Sequence, residues 1–133
     1  MRDHEVVVVV HRPDARFLVL LRSSDRGGYW NLVAGGVEDG ELPGEAAARE
    51  LAEETGLAAA VTPLELELSY ETPPGRVRLD AFAATAPEGW EPALDEEHAG
   101  HRWCTGAEAV ELLAYPEPRE AVRKVARAMG ARA

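Results

Sequence analysis

The sequence predicts an α/β protein in which helices cover both faces of a mixed, partly antiparallel sheet, an α/β/α sandwich. Three observations carry that expectation. Strand-like runs dominate the chain; one strong helix pattern lies midway and two lie late; no linker divides the 133 residues, which read as one domain, 1–133. Strands that each need cover on their faces, followed by helices able to give it, resolve into layers. A chain of this size buries roughly two-thirds of its unfolded surface, enough for a core.

The elements follow in order. Residues 5–11, EVVVVVH, are β-branched and continuous, the pattern of a buried strand. After the turn chemistry of RPDA, residues 16–22, RFLVLLR, read as its hairpin partner. Residues 29–36, YWNLVAGG, read as a short strand running into a glycine turn. Residues 45–55, EAAARELAEET, are strong helix formers, with Gly56 as a left-handed stop and Gly44 as the expected N-cap. Two alternating runs, 61–72 and 76–85, flank the turn residues PPG and read as strands. Residues 86–100 read as an acidic loop and 101–104, HRWC, as a short strand. Thr105 with Glu108 has the spacing of a capping box before a helix over 107–114, and 117–129 is a last amphipathic helix.

Composition removes several classes of function. The 46% hydrophobic and 29% charged shares are those of a globular protein. No apolar run approaches the ~20 residues that span a bilayer. The N-terminal EVVVVV is too short for a signal sequence and lacks a cleavage site, so the expectation is a cytoplasmic protein with no membrane partner. A net charge of −10 leaves no basic face for duplex nucleic acid. The single cysteine, Cys104, forms no internal disulfide and is expected to be a buried thiol. His98, His101 and Cys104 lack a fourth ligand and the spacing of a structural zinc site. His4 and His11 read as strand ends.

The chemistry concentrates between residues 34 and 57. At ~100° per residue, Glu50, Glu53 and Glu54 fall within one face of the central helix. Like charges at these spacings repel, and the repulsion grows as water is excluded. A divalent cation reverses its sign, and carboxylate oxygens suit a hard ion such as Mg²⁺. Gly35 and Gly36 precede the helix, where backbone without a side chain can bring a carbonyl close to a ligand. Arg49 sits beside Glu50 and one turn from Glu53, placed to orient carboxylates.

This stretch resembles the Nudix box. Gly35, five residues, Glu41, seven residues, then Arg49, Glu50, Leu51, Glu53, Glu54, Gly56 and Leu57 match its nine fixed positions. Ala34 stands where many members have proline, and the loop before the helix lacks a serine or threonine, both small departures. The resemblance implies a Nudix fold and hydrolysis of a phosphoanhydride in a nucleoside diphosphate linked to another group. It implies Mg²⁺, with Mn²⁺ as substitute, held by Glu50, Glu53 and Glu54 with the carbonyl of Gly35. Glu41 would support the loop, and Arg49 would hold the glutamates. Glu97, just before His98, resembles the additional ligand or base of members acting on nucleoside triphosphates or dihydroneopterin triphosphate. Arginines near Arg22 and Arg26 reach substrate phosphates in the family.

Tyr29, Trp30, Tyr70 and Phe82 are rings able to stack on a base, with core packing the expectation for Phe82 and a structural role for Trp103. The expected partner is a small nucleotide or polyphosphate, and a homodimer is compatible with the chain. The leading function is nucleoside triphosphate pyrophosphohydrolysis, releasing monophosphate and pyrophosphate. Its alternatives are hydrolysis of dihydroneopterin triphosphate, then of ADP-ribose or another sugar nucleotide. A catalytically silent nucleotide sensor is the alternative of another class.

Overall fold

The computed structural model describes residues 3–130. Strand β1 (His4–His11) is the centre of the sheet because its five consecutive valines are buried on both sides. Val6, Val8 and Val10 face one layer, where helix α1 (Pro43–Thr55) places Ala46, Ala47 and Leu51. Val7 and Val9 face the other, against Ala109 of α2 (Gly106–Leu112) and Ala121, Val122 and Val125 of α3 (Pro116–Ala128). Both faces are therefore covered, as the alternation of a strand inside a sandwich requires.

β1 pairs in parallel with β6 (Gly75–Thr85) along its whole length, and β6 pairs antiparallel with β5 (Thr62–Thr72) at the sheet edge. On its opposite side β1 is shared. β2 (Phe17–Arg22) meets it at His11↔Phe17, while β4 (Val33–Gly36) takes Glu5 through Val8. β2 then turns to β3 (Trp30–Asn31) and β7 (His98–Cys104). The sheet is thus mixed, and it splays where β2 leaves β1.

Several boundaries differ from the sequence expectations for physical reasons. The stretch 29–36 is two strands, because one segment crosses from β2 to β1; it breaks at Leu32, whose amide donates to the Asn31 side chain at 2.8 Å. α1 starts at Pro43, whose fixed φ suits the first helical position, and its N-cap is Leu42 rather than Gly44. The Glu45 carboxylate reaches back to accept the Leu42 amide at 2.9 Å, the half of a capping box that needs no side-chain oxygen on the cap. Gly56 closes the helix in the left-handed region, φ 79°. β7 begins at His98, three residues before the expected strand, with a bulge opposite Leu21 and Arg22.

The loop between β6 and β7 is pinned at Glu91. Its carboxylate binds Arg12 at 2.6 Å and accepts from the Trp103 indole at 2.9 Å, with His101 at 3.1 Å. The Arg12 guanidinium lies 3.9 Å over the Trp103 ring, so Trp103 is a structural residue. Phe82 and Cys104 are buried, His4 and His11 end β1, and Thr105 and Glu108 form the reciprocal cap of α2. Among the described residues no helix is long and apolar enough to cross a membrane.

Leu51, fully buried against the valine face, is the main apolar anchor of α1. Leu51→Ala is expected to lower unfolding stability by about 3 kcal/mol, read from urea denaturation with unchanged slope.

Candidate active site

α1 packs on the sheet through its alanines and Leu51, which turns Glu50 and Glu54 toward the end of β4 and leaves Glu53 half exposed. β4 delivers Gly35 opposite Val6, directly against Glu50. A methyl group on Gly35 would lie 2.0 Å from Glu50 Oε2, so only glycine fits.

The repulsion predicted for the acidic face is countered by Arg49. Its guanidinium donates twice to Glu41, at 2.8 and 3.0 Å, and to the Gly36 carbonyl at 2.9 Å. The third nitrogen reaches Glu50 at 3.1 Å and Glu53 at 3.4 Å. The bonds to Glu41 are the main reason its pKa is raised, so the charge is permanent. Glu41 in turn accepts the Glu38 amide at 2.9 Å, which ties down the loop between β4 and α1.

Glu54 is the most buried acid of the face, 3% exposed. Burial, then its hydrogen bond and charge contact with Glu50, pushes its pKa up to about 10, while the Ala34 amide works weakly in the opposite sense. Burial also raises Glu50, although Arg49 opposes this. Burial thus biases both carboxyls toward the protonated form. Among the described residues Glu54 Oε1 has no hydrogen-bond partner, and neither has His98 Nε2, 3.6 Å away. The other ring nitrogen of His98 meets Asp95 at 2.8 Å.

A buried carboxylate oxygen without a partner carries a desolvation penalty of about 1–3 kcal/mol or more. The carboxylate and carbonyl oxygens gathered on this face suit a hard divalent cation. Glu50, Glu53 and Glu54, with the carbonyl of Gly35, could hold one. Among the described residues no three acidic, His or Cys groups are already closed around one point. Arg49 instead holds an oxygen each of Glu50 and Glu53.

The acidic face opens into a cavity of about 900 Å³. Arg22, Glu50, Glu53, Tyr70 and Glu97 of the expected set line it, with Gly35 and Arg49. Arg26 does not; it pairs with Glu97 at 3.6 Å and holds the Arg22 side chain through its carbonyl at 3.2 Å. Nor does Trp30, because strand alternation sends it, opposite Leu21, into the α2/α3 layer beneath Arg102. Its neighbours Tyr29 and Asn31 face the cavity instead.

The residues missed from the sequence are Glu5, Asn31, Tyr115 and His98. No local signal marked the first three. His98 is aimed at Glu54 by the bulge in β7, since one extra residue exchanges the two faces of a strand.

The NUDIX domain family profile matches residues 1–125. The chain belongs to the Nudix family. An octanoyltransferase of Myxococcus xanthus is 37% identical to this Nudix chain over 129 residues, covering 93% of the chain and 36% of that protein. The CTP pyrophosphohydrolase of Escherichia coli is 32% identical, covering 87% of the chain and 84% of that protein. In fold, the chain resembles the E. coli dihydroneopterin triphosphate pyrophosphohydrolase structure, with a TM-score of 0.84 at 24% identity over 92% of this chain and 94% of that one. The chain spans about a third of the length of several curated relatives it matches. Nudix enzymes generally use divalent metals.

Because the Glu54 pKa in the fold lies above its unfolded value of 4.5, the folded state holds an extra proton between about pH 4.5 and 10. The stability tied to that proton is complete below pH 4.5 and is lost as pH rises through the window. Metal-free protein in chelator should therefore melt at progressively lower temperature from pH 6 to 9. Glu54→Gln should flatten that dependence; an unchanged slope in the variant would assign it to other groups.

Proposed function

We propose that the chain is a Mg²⁺-dependent pyrophosphohydrolase that cleaves a phosphoanhydride of a nucleoside triphosphate or related nucleoside diphosphate derivative. The products are the monophosphate and pyrophosphate, or the corresponding X-phosphate. The observation that carries this reading is Glu50 on the wall of a cavity large enough for a nucleotide, backed by the buried Glu54, whose Oε1 has no hydrogen-bond partner among the described residues. Glu50, Glu53, Glu54 and the carbonyl of Gly35 would hold the metal, with Glu97 as a further ligand. When bound, Mg²⁺, or Mn²⁺ in its place, neutralises phosphate oxygens and acidifies water.

The chain's own groups have distinct tasks. Arg49 fixes the carboxylates against mutual repulsion and keeps Gly36 against the helix. Arg22, tethered to the Arg26 carbonyl, presents a cation to the polyphosphate. Arg26 restrains Glu97 at the cavity wall. Water attacks phosphorus, the bridging P–O bond breaks, and the pyrophosphate leaves. The water's proton would pass to a solvent-accessible carboxylate lining the cavity, Glu97 or a helix glutamate such as Glu53 where the metal leaves one free.

The chain is read as one domain of this kind. Its net charge of −10 supports a small metal-bound polyanion as substrate rather than a duplex. Dihydroneopterin triphosphate is the alternative substrate, favoured by the sequential Glu97 and His98 and by the fold likeness. A silent nucleotide sensor is disfavoured by the complete set of box glutamates.

Pyrophosphate release with Mg²⁺ from ATP, GTP, CTP, UTP and dihydroneopterin triphosphate, and AMP release from ADP-ribose, test the reading. Glu53→Gln should lower kcat/KM on the best substrate by two orders of magnitude or more, about 3 kcal/mol, with an unchanged melting temperature. Near-normal turnover in the variant, or no turnover of any compound, would remove it.

A further inference from the structure

Away from the phosphate end, the cavity floor is built from Val7 and Leu79, with Glu5 between them in register: Glu5 lies opposite Leu79 on β6 and Gly36 on β4. Glu5 is a half-buried acid on a valine strand, an unusual place for a carboxylate. Among the described residues its only hydrogen bond comes from the Tyr70 hydroxyl, which donates to Oε1 at 2.5 Å. A carboxylate has about four acceptor positions, so most of this one is unused. Burial, then the bond to Glu5, raises the Tyr70 pKa and keeps the hydroxyl a donor.

Around this acceptor stand aromatic walls. Tyr29 and Tyr115 meet edge to face with centroids 5.3 Å apart, and Tyr115 is 51% exposed at the cavity rim. The remaining carboxylates of this end, Glu71 and Glu117, keep it negative, while Arg22 stands over the Tyr29 ring. Phosphates are thus repelled from the floor and drawn toward Arg22 and the acidic helix once metal is there. A ring is left to enter among the tyrosines with its edge against Glu5.

Resting on the function proposed above, we infer that Glu5 selects the heterocycle, and that the substrate carries a 2-amino-4-oxopyrimidine edge, the edge of guanine and of pterin. Of the common rings only that edge offers two adjacent N–H donors, a ring N–H and an exocyclic amine, to the two oxygens of a carboxylate. Adenine, cytosine and uracil each set an acceptor beside their donor, which would face Glu5 with repulsion. A carboxylate on the cavity floor with most of its acceptor positions unused disfavours rings that set an acceptor against it. Stacking with hydrogen bonds to the Watson–Crick edge is the general way a pocket reads a base.

The test is binding of the monophosphate products GMP, neopterin monophosphate, AMP, CMP and UMP, followed by tyrosine and tryptophan fluorescence, which needs no turnover. GMP, neopterin monophosphate or both should bind at least tenfold tighter than the other three. The two compounds distinguish a nucleotide from a pterin source. Glu5→Gln should erase the preference by weakening those ligands while leaving AMP unchanged. Tyr70→Phe, which removes a donor but not the acceptor, should keep it. Equal binding of all five, tighter binding of AMP, CMP or UMP, or an undiminished preference in Glu5→Gln would overturn the assignment. Ring preference without triphosphate hydrolysis would sink the catalytic reading alone; hydrolysis without ring preference would sink this one alone.

Discussion

One guanidinium makes the acidic helix tolerable. Arg49 is the only basic residue within a stretch holding seven carboxylates, and its nitrogens reach Glu41, Glu50, Glu53 and the Gly36 carbonyl. The planar fork of arginine can make those bonds simultaneously, which the point charge of a lysine could not. Each contact does double service. The bonds to Glu41 and Gly36 hold the loop, and those to Glu50 and Glu53 hold the helix. Backbone and acids are therefore positioned by the same group.

The sheet supplies the second half of that arrangement. β1 gives one edge wholly to β6 and divides the other between β2 and β4. The division brings Gly35 against α1 and leaves a gap running from the acidic helix on one side of the sheet to the floor at Glu5 and Leu79 on the other. A nucleotide is long and has chemically opposite ends. A cavity passing through the splay of a sheet offers each end a different layer of the protein.

Much of this was legible in the sequence, and what was legible was local. The α/β/α layering followed from strand and helix periodicities that depend on neighbours a few residues apart. The shared face of Glu50, Glu53 and Glu54 followed from helix geometry. The gaps lie where distant segments meet. Glu5 and Tyr70 are 65 positions apart, and nothing near either announces the other. Trp30 and Tyr29 looked equivalent as stacking rings until the crossing from β2 to β1 decided which one faced inward. His98 read as a bystander to Glu97 because a bulge, which costs one residue of register, leaves little trace in a sequence. The N-cap is hard to place from sequence because Leu42 has no capping oxygen, and its only side-chain mark is Glu45, three residues on, reaching back to its amide.

The anchoring of the β6–β7 loop by Glu91 has a mechanical meaning. Three partners, two from β7 and one from the turn after β1, converge on one carboxylate, and Ala93 is bonded to the Thr55 carbonyl just beyond it. What hangs free of that knot is a short span ending at Asp95 and Glu97, whose own backbone carbonyl is taken by the Ser23 amide. The loop is therefore less a flap than a taut bridge with moorings at either end. Its tip can be re-lettered for a different cargo while the piers that keep His98 in the interior stay as they are.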